Sequence, residues 1–132
     1  MLDLTQLLKD YAAETGGQFN AYSANKMVII IPVAPNRFQT VHAEVRQINK
    51  QPLISFTSKI CPAEPELDYQ ALLESVQRFS YSRLYIYEGY LQAESLVSAV
   101  NSPPLDVLKM IIQEVALVAD QYEQKLTGKD IQ

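Results

Sequence analysis

The sequence predicts an α+β fold in the order α-β-β-β-α-β-β-α, with an antiparallel sheet of about five strands packed with helices. Apolar residues recur at helical spacing in three separate stretches, and they alternate with period two in the segments between. Short turn-forming sequences join the alternating runs, which favours antiparallel neighbours. A length of 132 residues suits one core, so a single domain over 1–132 is expected, with a frayed tail at 127–132. An apolar share of 48% and a charged share of 20% are ordinary for a globular chain and exclude collagen-like, low-complexity and wholly disordered classes.

Leu4, Leu7, Leu8 and Tyr11 fall at i, i+3, i+4 and i+7, which predicts a helix from Leu4 to Thr15. Asp3 is placed to cap it with Gln6 three residues on, Leu2 to staple against Leu7, and Gly16-Gly17 to supply a left-handed exit. From Gln18 to Ile60 the period becomes two. Met27 to Ile31 is apolar on both faces, as a central strand covered on each side would be, and Pro32 with Pro35-Asn36 is expected to break it. Val41, Ala43 and Val45 then alternate with His42, Glu44 and Arg46, so one face is buried and one is wet. Asn49-Lys50-Gln51-Pro52 turns the chain into a third strand, Leu53 to Ile60, with Ile54, Phe56 and Ile60 on a shared side.

Cys61-Pro62-Ala63-Glu64-Pro65 is expected to end this meander, because proline has no N–H for a ladder. Helical spacing returns at Tyr69, Leu72, Leu73 and Val76, predicting a second helix from Leu67 to Phe79 with Glu66 and Asp68 at its positive end. Leu84 and Ile86, read as core-facing, alternate with Tyr85 and Tyr87, and Glu88-Gly89 turns into Tyr90 to Val97, a β-hairpin signature. The last helix opens at Asn101-Ser102-Pro103-Pro104, with Ser102 as its cap and Pro103 where a missing N–H costs nothing. Leu108, Ile111, Ile112, Val115, Ala119, Tyr122 and Leu126 hold one apolar stripe along it, and Gly128 closes it.

The single cysteine cannot form an internal disulfide, which suits a reducing compartment, and the first residues show neither the basic nor the apolar region of a signal peptide. A cytoplasmic location is therefore expected. No apolar run reaches the ~20 residues a spanning helix needs, so no membrane insertion is expected. A net charge of −4 argues against nucleic acid as the partner, since phosphate contacts need a concentrated basic surface. The charge is polarised nonetheless: residues 18–63 carry five basic groups against Glu44, while residues 64–123 carry ten acids against Arg78, Arg83 and Lys109. Solvated strand and helix faces explain that split, and so would halves that meet differently charged partners.

Few side chains could support catalysis. His42 with Cys61 is the one Cys/His combination, but His42 lies on a wet strand face and Cys61 precedes a proline, so two unrelated residues are expected. No C-x-x-C pair or H-E-x-x-H helix is present, and Glu64, Glu66 and Asp68 lack the spacing of a calcium loop, so neither a metal nor a cofactor is expected. Gly16-Gly17 follows a helix where a phosphate cradle would precede one. These readings point away from an enzyme. Tyr81, Tyr85, Tyr87 and Tyr90 make the hairpin the densest aromatic segment. A covering helix or cross-strand pairing would account for them, and the functional alternative is an exposed strip for protein contact.

The order helix, three strands, helix, two strands, helix resembles the small secretion-chaperone fold, and the back half of the chain resembles the YbjN-type family. Leu53-Ile54-Ser55-Phe56-Thr57-Ser58-Lys59-Ile60, Leu72-Leu73, Arg83-Leu84-Tyr85-Ile86 with Glu88-Gly89-Tyr90-Leu91, and Val115 to Glu123 with its Ala119-Asp120 pair carry the likeness. The resemblance, to the YbjN-like and type III secretion chaperone-like (Tir-chaperone-like) superfamily, implies a small acidic cytoplasmic protein without catalytic residues, often dimeric, that binds other proteins or acts in regulation.

Taken together, the expectation is a non-enzymatic, chaperone-like or adaptor module that binds an unidentified protein through an exposed sheet face and Tyr85, Tyr87 and Tyr90. The alternative is a regulatory domain holding a small ligand between sheet and helix. A homodimer is expected through the second helix, with Leu67, Tyr69 and Phe79 as contact residues.

Overall fold

The computed structural model describes residues 3–127. Its elements are α1 (Leu4–Thr15), β1 (Gln18–Ser23), β2 (Lys26–Ala34), β3 (Arg37–Ile48), β4 (Gln51–Pro62), α2 (Tyr69–Ser75) followed by a 3-10 turn (Val76–Arg78), β5 (Arg83–Tyr87), β6 (Tyr90–Ser98) and α3 (Leu105–Thr127). Every strand pair is antiparallel, in the order β1-β2-β3-β4-β6-β5. The α+β expectation holds, with six strands where about five were expected. The additional one is β1, whose Phe19 and Ala21 pair beside Ile29 and Met27. It is an edge strand that buries little surface, so its alternation carries little apolar contrast.

Local chemistry explains the ends of α1. Asp3 accepts from the Gln6 N–H at 3.1 Å, and Gly16 closes the helix at φ 79° with its N–H on the Ala12 carbonyl. Gly17 is required for a different reason, since a Cβ there would lie 2.0 Å from the Ile30 carbonyl oxygen. The expected Leu2 staple and the Gly128 stop lie outside the described residues, as does the tail beyond Thr127. The hairpin turns use positive φ at Asn49 and Lys50 and at Glu88 and Gly89, matching the twist of the strands they join.

The chain turns at Pro35-Asn36 and β4 ends within Cys61 to Pro65, as expected, but neither strand stops at its first proline. β2 continues through Pro32 to Ala34, and β4 continues through Cys61 to Pro62. The Pro32 carbonyl accepts from the Gln113 side chain at 3.3 Å, so this residue turns its backbone polar side away from β3. The missing N–H therefore removes no bond from the β2–β3 ladder. The second helix is shorter than Leu67 to Phe79: Asp68 caps it at the Ala71 N–H and the chain tightens to a 3-10 turn at Val76. Both Pro103 and Pro104 precede α3, and the Pro104 carbonyl takes the Leu108 N–H in the position expected for Ser102.

All three helices share one face of the sheet. Leu108, Ile112, Val115, Val118 and Ala119 of α3 cover Ile54, Phe56 and Ile60, while Leu7, Leu8 and Tyr11 of α1 cover Met27 and Ile29. Leu72 and Val76 join the same core, and the Tyr122 hydroxyl meets the Ser75 hydroxyl at 2.5 Å. Asp120, one of the residues carrying the family likeness, is buried and held bidentately by Arg37 at 2.8 and 3.3 Å, which ties α3 to the start of β3. Leu73 points outward and is 55% exposed, contrary to the expectation that it is buried. Ile86 is 53% exposed although its neighbour Leu84 is buried, because it lies where the helical layer no longer covers the edge strand.

Val115 has no exposed surface, so Val115→Asp places an unpaired carboxylate in the core. The expected cost is about 4 kcal/mol or more, against a total stability of ~5–15 kcal/mol. Urea unfolding checks this, and a midpoint equal to the parent's would show that the stripe is not core.

Candidate functional site

The strand registers define what lies on the face away from the helices. Lys26 is opposite Glu44 and Glu44 opposite Ser55; Val28 is opposite His42 and His42 opposite Thr57. Thr57 continues to Glu94 and Glu94 to Arg83, while Lys59 continues through Gln92 to Tyr85. Directly paired residues in a sheet share a face, so the polar partners of the alternating pattern collect on the open side. There they line a concavity of about 500 Å3 that includes Lys26, His42, Arg46, Lys59, Tyr87 and Gln92.

Its floor is built from short groups, Ser55 and Thr57 of β4 beside His42 of β3, and the β5–β6 hairpin raises a wall of Tyr85, Tyr87 and Tyr90. The Tyr85 and Tyr87 rings stack at 6.3 Å and 21°. Tyr87 is 54% exposed, whereas Tyr85 and Tyr90 are half-buried. The structure thus brings the three sequence-predicted tyrosines together on one side, uncovered by any described helix. Leu67, Tyr69 and Phe79 lie elsewhere, half-buried against the protein's own core, with Phe79 edge-on to Tyr122 at 6.4 Å.

A carboxylate sits beneath this surface. Glu94 is 1% exposed, and its charge is met by Arg83 through Nε at 2.9 Å and through Nη2, by the Ser55 hydroxyl at 2.9 Å and by Arg46 Nη1 at 3.8 Å. A buried charge is tolerated only with such partners. Glu44 is shared between Lys26 at 3.4 Å and Arg46 at 3.6 Å. Lys59 differs: its ammonium lies 4.6 Å above the Tyr90 ring, and no carboxylate pairs with it among the described residues.

Burial, then the Glu94 charge, pushes the Tyr85 phenol up to about 12, so it keeps its proton at neutral pH and can donate a hydrogen bond. His42 retains solvent contact, yet the crowded floor and then the Lys59 ammonium hold its pKa below 6.5. Cys61 belongs to the core on the opposite face from His42, and burial followed by Glu64 and Glu123 raises its thiol pKa. The two residues therefore cannot form a dyad. Among the described residues no group of three or more His, Cys, Asp or Glu side chains is placed to hold a metal ion, and no helix is long and apolar enough to cross a membrane.

Sequence reasoning found the tyrosines but missed Arg46, Lys59 and the Glu94–Arg83 pair as members of the same surface. Their alternation was visible. Their assembly depends on β6 inserting between β4 and β5, which no local pattern announces.

No protein-family model and no curated protein matches the sequence. Among solved structures, a chain from the HopA1–SchA chaperone-effector complex aligns over 90% of this chain and 91% of its own length, with TM-score 0.55 and 10% identity. YbjN from E. coli aligns over 88% and 90%, with TM-score 0.42 and 16% identity. The first likeness shows a shared fold, and the chaperone-like architecture implied by the sequence resemblance is the one observed.

Because folding lowers the His42 pKa, the folded chain takes up this proton only at a lower pH than the unfolded chain does. Stability therefore falls as pH drops from above 6.5 through the lower folded value, and His42→Gln removes that component. Urea midpoints of both proteins at about pH 7.5 and pH 5 check this. An identical pH dependence in the two would contradict it.

Proposed function

We propose that this chain is a non-enzymatic protein-binding module, chaperone-like or adaptor in role, that engages its partner through the open sheet face and the aromatic hairpin. The observation that carries this reading is the one-sided placement of the helices, which leaves a concave sheet surface walled by Tyr85, Tyr87 and Tyr90 facing solvent. Tyrosine is enriched where protein interfaces hold most of their binding energy, because a large rigid ring is immobilised at small entropic cost. The fold shared with a chain of a chaperone-effector complex supports a protein partner. The alternative ligand-binding reading placed its site between sheet and helix, but side chains such as Phe56, Ile112 and Val115 fill that layer and the described concavity lies on the other side.

The test is comparative capture. Wild-type protein and a Tyr85→Ala/Tyr87→Ala variant are used as bait in native lysate, with bound proteins identified by mass spectrometry. A protein captured stoichiometrically by the parent and reduced at least tenfold with the variant is the expected result. Equal capture by both would remove the tyrosine strip from the interface, and a stoichiometric metabolite with no protein would overturn the reading.

Homodimerisation belongs to the same proposal. Leu67, Tyr69 and Phe79 contribute their half-exposed edges beside Leu73, whose exposure leaves apolar surface on the outer side of α2. Light scattering at tens of micromolar protein is expected to give about twice the 14.9 kDa chain mass, reduced to one chain mass by Leu73→Glu with the circular dichroism unchanged. A parent mass of one chain rejects the dimer.

A further inference from the structure

The open face contains a cation without a carboxylate partner among the described residues, on a molecule that is acidic overall. Glu94 is consumed by Arg83, Ser55 and Arg46, and Glu44 is divided between Lys26 and Arg46. Lys59 is exposed, pairs with no carboxylate among the described residues, has the Tyr90 ring and His42 near its ammonium, and stands at the junction of the hydroxyl floor and the tyrosine wall. Lys26, Arg46 and Lys59 outnumber Glu44 and Glu88 in the lining, although the chain as a whole carries −4. Residues 64–123, which include the whole of α2 and most of α3, hold ten acids against three bases. An anionic partner is repelled by the helical side and attracted to this one.

The concavity is within the 300–1,000 Å3 range of sites that enclose small groups, so it admits a few side chains rather than a folded domain. Short Ser55 and Thr57 side chains let an extended backbone approach the sheet, and three phenol rings offer faces and edges to another aromatic ring.

We propose that the open face selects an acidic, aromatic-bearing extended segment of a protein partner, with a carboxylate seated at Lys59 and a ring against Tyr85, Tyr87 and Tyr90. This deepens, and rests on, the protein-binding reading above. Lys59 supplies charge to the guest without first giving up an ion pair, whereas Lys26 and Arg46 must share themselves with Glu44. The protonated Tyr85 hydroxyl adds a neutral donor.

His42 reports on occupancy because it is the sole histidine of the chain and lies on the floor of the concavity. Its imidazole C2 proton is followed by NMR through a pH titration of the full-length protein. One probe is a blocked peptide of three Glu-Tyr-Gly-Glu repeats, and the other has Lys in place of each Glu. The acidic peptide is expected to shift the His42 resonance saturably and raise its pKa, as a carboxylate arriving beside Lys59 would. Binding is expected to weaken at least tenfold in Lys59→Met, in Tyr87→Ala and at high salt. In the free Lys59→Met protein the His42 pKa rises on its own, which verifies that the variant is folded and the two groups remain coupled.

Binding of the basic peptide as tightly as the acidic one overturns the charge selection, as does acidic-peptide binding unchanged by Lys59→Met. No saturable response to either peptide also overturns the inference. The protein-binding reading is judged separately by whether capture of a native partner depends on Tyr85 and Tyr87.

Discussion

The packing of α3 across one face of the sheet determines the rest of the molecule. Its buried stripe, Leu108 through Tyr122, spans the central strands and packs on the row formed by Ile54, Phe56 and Ile60 with their neighbours. Once that layer is closed, α1 and α2 extend it along the same side and no described helix remains for the other face. A sheet covered on one side alone must place polar side chains on the other, because uncovered apolar surface of that area would favour association over solubility. The alternation of β3, with Val41, Ala43 and Val45 inward and His42, Glu44 and Arg46 outward, follows from this constraint.

Twist and curvature then turn a merely polar face into a concave one. Long strands β3 and β4, of 12 residues each, coil, and the hairpin carrying the tyrosines rises at one side. Glu94 is buried beneath its own neighbours with no described helix above it. A carboxylate there is tolerable because Arg83 approaches along the cross-strand pair and Ser55 supplies a second donor from β4. The cations drawn toward Glu94 and Glu44 also shape the surface around Lys59, whose ammonium pairs with no carboxylate among the described residues. Electrostatics on this face therefore descends from packing on the opposite one.

The fold was legible in the sequence wherever burial was strong. α1, α3, the β3–β4 hairpin and the β5–β6 hairpin each combine a periodic apolar pattern with turn or cap residues whose chemistry fixes the ends, and all are present. β1 was not legible because an edge strand with a single half-buried ring needs little hydrophobic contrast. Proline misled at Pro32, inside β2, since the loss of an N–H matters only on the side where a ladder bond would form, whereas Pro62 does mark the end of β4. Leu73 and Ile86 misled in the other direction: periodicity assigns each to an apolar face, but a seven-residue helix and an edge strand do not have enough covering layer to bury everything the pattern allots.

The site was half legible for a related reason. Alternation alone sends Tyr85 and Tyr87 to the face opposite Leu84, and the structure agrees. What alternation cannot supply is the strand order, and strand order decides which charges become neighbours. Were β5 rather than β6 to lie beside β4, the hairpin would still set Arg83 opposite Glu94, but the carboxylate would lose its place beside Thr57 and with it the Ser55 and Arg46 donors. Insertion of β6 between them places the tyrosine wall at the sheet's edge and Gln92 between Lys59 and Tyr85. The long crossover from Pro62 through α2 makes that order accessible, because the chain must leave the open side, deposit Leu72 and Val76 on the core, and return at the far edge before folding back. The short second helix, which contributes little burial of its own, thereby controls the composition of a surface it never touches.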